Sequence, residues 1–402
     1  MLFRAAASSR TIRTTVIAIF CRRKTTSAQY VAARHRDPTL EKLMDGYKHL
    51  ISVLFLQDLI LSSPDLSIPL PFLSSPEASR HLRLRRGPAH FVRSFPAVFS
   101  LRPHPTASLP ALVYLTPAAS RLSEHVTCAD PFALERITRL LSLSSSRSFP
   151  LRALIRVRHE LGLPQDFEDS VIASNPLLFS LSTNPREAGT HIVSLANPAP
   201  TVVPAVDAWR LRRLEDLNQN DSESAGEDAE IRFGFKQTFP PGMRLTKGFR
   251  SRLKEWQRLP YPRPYEPLPS AGGSLGRRRA LEKRAVAIAH EFLSLTVEKM
   301  VEVEKFSHFR KSFGIDLNIR DLLLDHPGMF YLSTKGRRHT VFLREAYDRG
   351  CLIESNPIYE ARRKLLHLVQ MRKRGAAFAD SGVPELVNVC HRPAKAPESL
   401  IN

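Results

Sequence analysis

A six-residue string of the form P-x-x-F-x-L occurs three times in this chain, at residues 96–101, 176–181 and 327–332. A segment with apolar, helix-like periodicity precedes each proline, and two short β-prone runs separated by a turn-rich gap follow it. A repeated string with repeated flanks indicates a repeated structural unit. The pattern therefore predicts three similar units, in which the phenylalanine and leucine of each string lie in a core.

Each unit is predicted to contain three helices followed by a β-hairpin. The helical segments are residues 132–141, 151–161 and 166–175 in the second unit and 280–297, 302–313 and 318–326 in the third. The first unit is more eroded, with residues 40–61 and 76–84 as its upstream pair. The hairpin strands are residues 98–101 with 112–116, 178–182 with 191–195, and 329–333 with 340–343. The predicted fold class is mainly α with small β-hairpins, an α+β fold of tandem winged-helix-like units. A plain array of helical repeats is the alternative.

Composition divides the chain into five segments. Residues 1–36 contain eight Lys or Arg, eight Ser or Thr and no acidic residue, which is typical of an organellar presequence. Arg4 comes early, which favours the mitochondrion, with the chloroplast as the alternative. The remaining predicted segments are the first two units (37–214), an acidic linker (215–231), a basic-aromatic segment with the third unit (232–375) and a tail (376–402).

The net charge points to a polyanionic partner. The chain of 402 residues has 59 Lys and Arg against 39 Asp and Glu, and 51 basic residues remain when residues 1–36 are removed. The longest apolar stretch, around residues 49–61, is shorter than the roughly 20 residues that cross a bilayer. No membrane span is therefore predicted.

Residues 232–263 carry the densest mixture of cations and aromatic rings. They include nine basic residues, one acid and six aromatic residues. Cations neutralise phosphates and aromatic faces stack on unpaired bases, so this mixture suits single-stranded RNA. In the alternative interpretation, the rings pack beneath the third unit and the cations form a solvated rim. The RNA-binding candidates in this segment are Lys247, Arg250, Arg252, Lys254, Trp256 and Arg258.

Three further basic clusters extend the candidate list. They lie at a helix start, at the predicted tip of the third hairpin and on a late helix: Arg277, Arg278 and Arg279; Lys335, Arg337 and Arg338; and Arg362, Arg363 and Lys364. A hairpin tip is expected to be exposed, so its charges are predicted to meet an anion.

The matches to enzyme motifs in this chain lack the neighbouring elements or residues that the motifs need. Residues 272–276 match G-x-S-x-G but follow a proline-rich stretch where a nucleophile elbow needs a strand. His290 begins an H-E-x-x-H motif that has Ser294 in place of the second histidine. Asp321 and Asp325 share a helical face and could in principle hold magnesium for a nuclease, the weakest of the alternatives. We therefore predict no catalytic residue, no metal and no cofactor.

The chain resembles the plant organelle RNA recognition (PORR) domain family. The residues that carry the resemblance are 36–41, the three repeated strings, 247–249 and above all 335–347, and the similarity spans about residues 34–375. The resemblance implies a nucleus-encoded plant protein imported into mitochondria or plastids. It also implies binding of single-stranded or structured organellar RNA and promotion of group II intron splicing, with other splicing factors as further partners. The family carries no accepted catalytic residues.

Two other functions remain open. Winged helices also read duplexes, so an organellar DNA-binding or transcription-termination protein is one alternative. A scaffold that binds splicing or ribosomal proteins is the other. Competition between duplex DNA and single-stranded RNA separates the first alternative from RNA binding, and weak nucleic-acid affinity at physiological salt would favour the second.

Overall fold

The computed structural model describes residues 36–371, except 83, 85, 107, 128–131, 186, 197–201, 220–229, 241, 267–274 and 337. The chain from Asp37 onward belongs to one compact unit. Its described part is a mixed α+β fold, in which three three-stranded antiparallel sheets and one two-stranded antiparallel sheet are set among helices. The predicted presequence up to residue 35 and the predicted tail lie outside the described residues.

The first unit starts with a long helix. Its elements are α1 (Pro38–Ser62), β1 (Ser67–Pro69), a 3₁₀ helix (Leu70–Ser74), α2 (Pro76–His81), α3 (Pro88–Arg93), β2 (Phe99–Arg102) and β3 (Leu112–Leu115), and α4 (Pro117–Thr127) follows. The Asp37 side chain accepts hydrogen bonds from the backbone amides of Thr39 and Leu40. This cap, with Pro38 at the first helical position, determines where α1 begins.

The second unit repeats this order with fewer helical pieces. It consists of α5 (Phe132–Leu143), β4 (Ser148–Pro150), α6 (Leu151–Leu161), a π-helix (Glu168–Ala173), β5 (Phe179–Thr183) and β6 (His191–Leu195). Gly162 ends α6 with a φ of 66°, and a Cβ there would lie 2.6 Å from a methyl carbon of Val297. Only glycine combines this left-handed turn with such close packing against the third unit.

Helices α7 (Ala205–Gln219) and α8 (Lys247–Arg258) lie between the second unit and the third, and residues 230–233 between them are also helical. The third unit consists of α9 (Leu275–Leu295), β7 (Met300–Glu302), α10 (Val303–His308), α11 (Ile319–Asp325), β8 (Phe330–Ser333) and β9 (Thr340–Leu343). A 3₁₀ turn (Arg344–Ala346), β10 (Tyr347–Asp348), β11 (Cys351–Leu352) and α12 (Pro357–Gln370) complete the described chain. Helix α7 extends five residues into the predicted acidic linker, whose residues 220–229 lie outside the description.

The sheets of the three units share one topology and one register. Their strand orders are β1-β3-β2, β4-β6-β5 and β7-β9-β8. One face of each sheet carries three paired side chains, one from each strand, which we call the outward row of that sheet. The three equivalent rows are Ser67–Tyr114–Ser100, Ser148–Ser194–Ser180 and Met300–Phe342–Tyr331. The residue before each first strand also has a positive φ near 50°: Leu66, Arg147 and Lys299. The predicted hairpins are therefore completed by a first strand of three residues, which the sequence analysis missed.

The repeated phenylalanines lie in the core as predicted. Phe99, Phe179 and Phe330 are buried, and Leu332 is buried as well. Leu181 is 45% exposed on the edge strand β5, so the prediction is wrong at this position.

Helix α1 covers the outward face of the third unit's sheet. The row Met300–Phe342–Tyr331 belongs to the same hydrophobic core as Leu40 and Met44 of α1. The Tyr331 hydroxyl donates to Glu41 at 2.5 Å, and Arg344 donates to Asp37 at 2.7 Å. The beginning and the end of the described chain therefore share one core.

Candidate nucleic-acid interface

Helix α8 presents four cations that have no carboxylate partner among the described residues. Lys247, Arg250, Arg252 and Lys254 are all exposed. Lys247, Arg250 and Lys254 lie at spacings of three and four residues, which places them on one helical face. Cations in the first turn oppose the helix dipole, so this charge pattern does not serve helix stability.

A buried lysine fixes the other end of α8. The Lys283 ammonium donates to the carbonyl oxygens of Trp256, Gln257 and Leu259 at 2.7–2.8 Å. These carbonyls lie at the end of α8, where intrahelical donors run out, so the lysine satisfies them and complements the dipole. The side chain is fully buried, and this burial lowers the pKa of Lys283 to about 7. Helix α8 is thereby attached firmly to α9.

Three of the six aromatic rings of this segment pack against the protein and support α8. Phe235 and Tyr261 are buried. Trp256 is half-buried, with its ring 5.8 Å from that of Phe235 and 4.6 Å from that of His326. The Gln257 amide adds two hydrogen bonds to the backbone of Phe235. Trp256 is therefore removed from the predicted RNA-stacking residues, because its faces are occupied by protein groups.

The arginines at the start of α9 lie beside α8. Arg279 pairs with Glu255 of α8 at 2.8 Å, both side chains being exposed. Arg278 is exposed and has no carboxylate partner in the described part of the chain, while Arg277 is half-buried. Arg258 is 3.7 Å from Glu230. Lys247, Arg250, Arg252, Lys254 and Arg278 form what we call the α8 surface.

The cations at the third hairpin tip meet carboxylates of the same protein. Lys335 pairs with Asp45 at 2.6 Å, and Arg338 pairs with Glu304 at 2.9 Å and with Glu302 at 3.5 Å. The hydrogen bond to Asp45 raises the pKa of Lys335, and the same contact lowers the pKa of Asp45. These two tip cations are therefore partly exposed but have partners within the protein, and their contact with RNA stays a prediction. Arg337 lies outside the described residues.

The three residues of the basic cluster on α12, Arg362, Arg363 and Lys364, differ in their exposure to solvent. Arg362 is buried and donates to both carboxylate oxygens of Glu298 at 2.8 and 3.0 Å. Its placement among the RNA contacts is wrong, because this guanidinium is committed to a buried ion pair. Arg363 lies 3.8 Å from Glu360, and Lys364 is exposed.

The residues of the incomplete metal motif have structural partners. His290 pairs with Glu345. Glu291 is fully buried and accepts hydrogen bonds from Arg139 at 2.5 Å, from the Tyr265 hydroxyl at 2.6 Å and from the Ala205 amide at 2.7 Å. Across the described residues, no group of three His, Cys, Asp or Glu side chains could hold a metal ion.

The sequence analysis missed the cations of the first unit. Residues 66–123 contain seven arginines and one acidic residue, Glu77. Arg86, Arg93 and Arg102 are exposed, and none of them has a carboxylate partner within the described ranges. The signal was present as a charge imbalance, but it is spread over 58 positions and contains no run of aromatic residues.

The chain is similar to known plant proteins over most of its length. The chain is 36% identical over 354 residues to "Protein ROOT PRIMORDIUM DEFECTIVE 1" of Arabidopsis thaliana, covering 85% of this chain and 84% of that protein. It is 28% identical to "Protein WHAT'S THIS FACTOR 1 homolog, chloroplastic" of Oryza sativa subsp. japonica, covering 94% and 72%. It is also 28% identical to "Protein WHAT'S THIS FACTOR 9, mitochondrial" of Arabidopsis thaliana, covering 87% and 89%.

No solved structure matches the chain. Among the helices that the structure describes, none combines the length and apolar character needed to cross a membrane. The family model of the plant organelle RNA recognition domain matches residues 35–374, nearly the whole chain. The protein therefore belongs to the plant organelle RNA recognition (PORR) domain family.

Proposed function

We propose that this protein is a non-enzymatic RNA-binding factor of plant mitochondria that promotes the splicing of group II introns. The observation that carries the proposal is the α8 surface, whose cations have no carboxylate partner among the described residues. Family membership supplies the ligand class, since the matching domain is named for organelle RNA recognition. Of the relatives named above, one carries a chloroplastic name and another a mitochondrial name. The early arginines of residues 1–36 favour the mitochondrion.

The three units suit such a role as winged-helix-like modules. Each runs helix, strand, helical pieces and two strands, and in each sheet the first strand pairs with the last. Winged helices present a helix and a hairpin to nucleic acid on a small rigid core. We propose that the tandem arrangement supports several separate contacts along one RNA molecule.

The proposed mechanism is electrostatic clamping. The cations of α8 neutralise phosphates of an intron strand, while Lys283 and the buried rings keep α8 from moving when it is loaded. Fixed cations lower the repulsion between RNA segments that must approach each other in a folded intron. The intron itself supplies the reacting groups, so the protein needs no catalytic side chain.

RNA retention across a salt series tests this proposal. The full chain and a variant with Lys247→Gln, Arg250→Gln, Arg252→Gln and Lys254→Gln are titrated with single-stranded RNA at several salt concentrations. We expect weaker binding by the variant and a shallower salt slope, by roughly 0.7 for each lost phosphate contact. Replacing the internally paired Lys335, Arg338, Arg152 and Lys305 by Gln serves as the charge-matched control and should change the slope less.

Two outcomes would favour the other functions. Duplex DNA that displaces RNA at equal concentration would favour a DNA-binding or transcription-termination protein. Failure to bind RNA at physiological salt, together with retention of splicing or ribosomal proteins, would favour a scaffold. Immunoprecipitation from purified mitochondria followed by sequencing of the bound RNA would identify the intron.

A further inference from the structure

We infer that the first unit carries a second RNA-binding surface, formed by the turn before α3, α3 itself and strand β2, which holds the phosphates of an extended RNA strand through Arg86, Arg93 and Arg102. This inference rests on the proposed function, because it takes RNA as the ligand. It adds a site outside the α8 surface that neither the family match nor the sequence motifs assign.

The first observation is uncompensated positive charge. Seven arginines and a single acid occupy residues 66–123, and the exposed Arg86, Arg93 and Arg102 have no carboxylate partner among the described residues. The third unit shows the opposite, since its described hairpin cations pair with Asp45, Glu302 and Glu304. A cation without an internal partner retains its full attraction for an external phosphate.

The second observation is that rigid elements support these cations. In α3, His90 and Arg93 are exposed three residues apart, which places them on one face. Phe91 and Val92, on the other side of α3, are buried in the core. Between α3 and β2, the Phe99 amide donates a hydrogen bond to the Phe95 carbonyl, which fixes the connection. Helix α3 and β2 are therefore one connected support.

The third observation concerns the outward face of the first unit's sheet. The Arg102 guanidinium lies 5.2 Å from the centre of the Tyr114 ring. The stacked ring orients the guanidinium while leaving its N–H donors available at the edge. Ser100 faces Tyr114 in the same row, and its buried hydroxyl has no hydrogen-bond partner in the described part of the protein. This face thus presents a cation stacked on an aromatic ring, while the Ser100 hydroxyl beside them is buried.

The first unit differs from its two repeats at the helix that precedes the hairpin. The π-helix of the second unit carries Glu168 and Asp169 in its first turn, and α11 of the third unit carries Asp321 and Asp325. The equivalent helix α3 has no acidic residue and ends in Arg93. The π-helix is thus acidic and α11 combines its two acids with Arg320, whereas the charge of α3 is positive only. The first unit is therefore the one whose helix and hairpin both suit RNA.

The test compares two charge-matched triple variants of the full chain. The first carries Arg86→Gln, Arg93→Gln and Arg102→Gln. The second carries Lys335→Gln, Arg338→Gln and Arg152→Gln, which removes cations that pair with carboxylates of the protein. The probe is a labelled, mixed-sequence single-stranded RNA of about 40 nucleotides, a length that exceeds the footprint of one small module. Thermal unfolding confirms that both variants fold.

We expect the first variant to bind about 10-fold more weakly at 0.1 M salt, with a salt slope lower by roughly 2 because three phosphate contacts are lost. The control should stay within about threefold of the unmodified protein, since each of its cations lies beside a carboxylate that repels phosphate. Equal affinities for the two variants would overturn the inference. If the unmodified protein binds RNA and only the α8 variant loses binding, the inference fails while the proposed function stands. If the unmodified protein binds no RNA, the proposed function fails as well.

Discussion

The sheets of the second and third units have the same strand order and register but opposite environments. In the third unit the outward row is Met300–Phe342–Tyr331, and helix α1 covers it. In the second unit the equivalent row is Ser148–Ser194–Ser180, which is partly open to solvent. Ser180 and Ser194 bond each other there through their hydroxyl groups at 2.8 Å.

This difference indicates that the three side chains of the outward row determine whether that face of the sheet is covered by a helix or open to solvent. Large apolar groups on the outward row create a surface that must be covered, and α1 covers it. Serines on the same row satisfy their own hydrogen bonds and leave the sheet tolerant of water. Topology is therefore shared between the units, while the outward row of each sheet determines its neighbours.

The largest expected effect is at the centre of the covered row. Phe342→Ala should lower the free energy of unfolding by about 3–5 kcal/mol, because it removes a fully buried ring and leaves a cavity under α1. Chemical denaturation of both proteins measures the difference. The matched control is Ser194→Ala in the second unit, which should change stability by no more than about 0.5 kcal/mol. A similar loss at both positions would contradict the comparison.

A smaller effect is expected from the hydroxyl of Tyr331. Tyr331→Phe keeps the ring but removes the donor to Glu41, so a buried carboxylate oxygen loses its partner. We expect a loss of about 1–3 kcal/mol in the free energy of unfolding. Ser180→Ala, at the equivalent position of the open sheet, should be nearly neutral because water replaces the lost contact. A neutral Tyr331→Phe would mean that Glu41 does not depend on this bond.

The free energy of unfolding should depend on pH through Lys299, which precedes the first strand of the third unit, but not through Arg147, which precedes the first strand of the second unit. Burial lowers the pKa of Lys299 from the usual 10.5 to about 8, so the native state binds fewer protons than the unfolded state between these pH values. The stability of the unmodified protein relative to Lys299→Met should therefore rise with pH across that window, by about 1 kcal/mol after allowance for solvent screening. Denaturation curves at pH 7.5 and about pH 10 measure this.

The second unit provides the control for that measurement. Arg147 occupies the equivalent position with the same left-handed backbone, but it is exposed. Arg147→Met should give a stability difference that does not change between the same two pH values. A rising difference at Arg147, or a flat one at Lys299, would refute the assignment.

The smallest effect is expected at the hairpin tip of the third unit. Lys335→Gln removes an ion pair with Asp45 between two side chains that are each about two-fifths exposed. Exposed pairs contribute little and are screened by salt, so we expect a change in melting temperature close to the error of measurement that disappears at high salt. A large, salt-independent change would show that the covered sheet depends on its rim as well as on its apolar row.

The sequence predicted the elements well wherever periodicity and turn residues coincide. The β6 and β9 strands and helix α6 have the predicted limits, because β-branched runs and glycine or proline stops lie next to each other. The first strand of each unit was missed since three residues are too few to show alternation. The repeated Ser-x-Pro at residues 67–69 and 148–150 was the available signal.

The candidate interface was predicted only in part, for two physical reasons. An interleaved run of cations and rings looks the same whether the rings face inward, as Phe235 and Tyr261 do, or outward. A cation's partner can also lie far away in the chain, as Asp45 lies 290 residues from Lys335. Local charge counts therefore overestimate the free positive surface wherever tertiary contacts bring carboxylates in.

The covering of the third sheet by α1 has a consequence for the order of assembly. Glu41 and Tyr331 are separated by 290 residues, and synthesis releases the amino-terminal partner first. The part of α1 that packs on the third sheet must then remain exposed to solvent until that sheet has been made, although the same helix also packs against β1 and β3 of the first unit. Until the third sheet forms, a chaperone that binds exposed apolar segments would bind α1 in each newly synthesised chain. A copy interrupted before residue 330 would never bury that part of α1 and would be open to proteolysis.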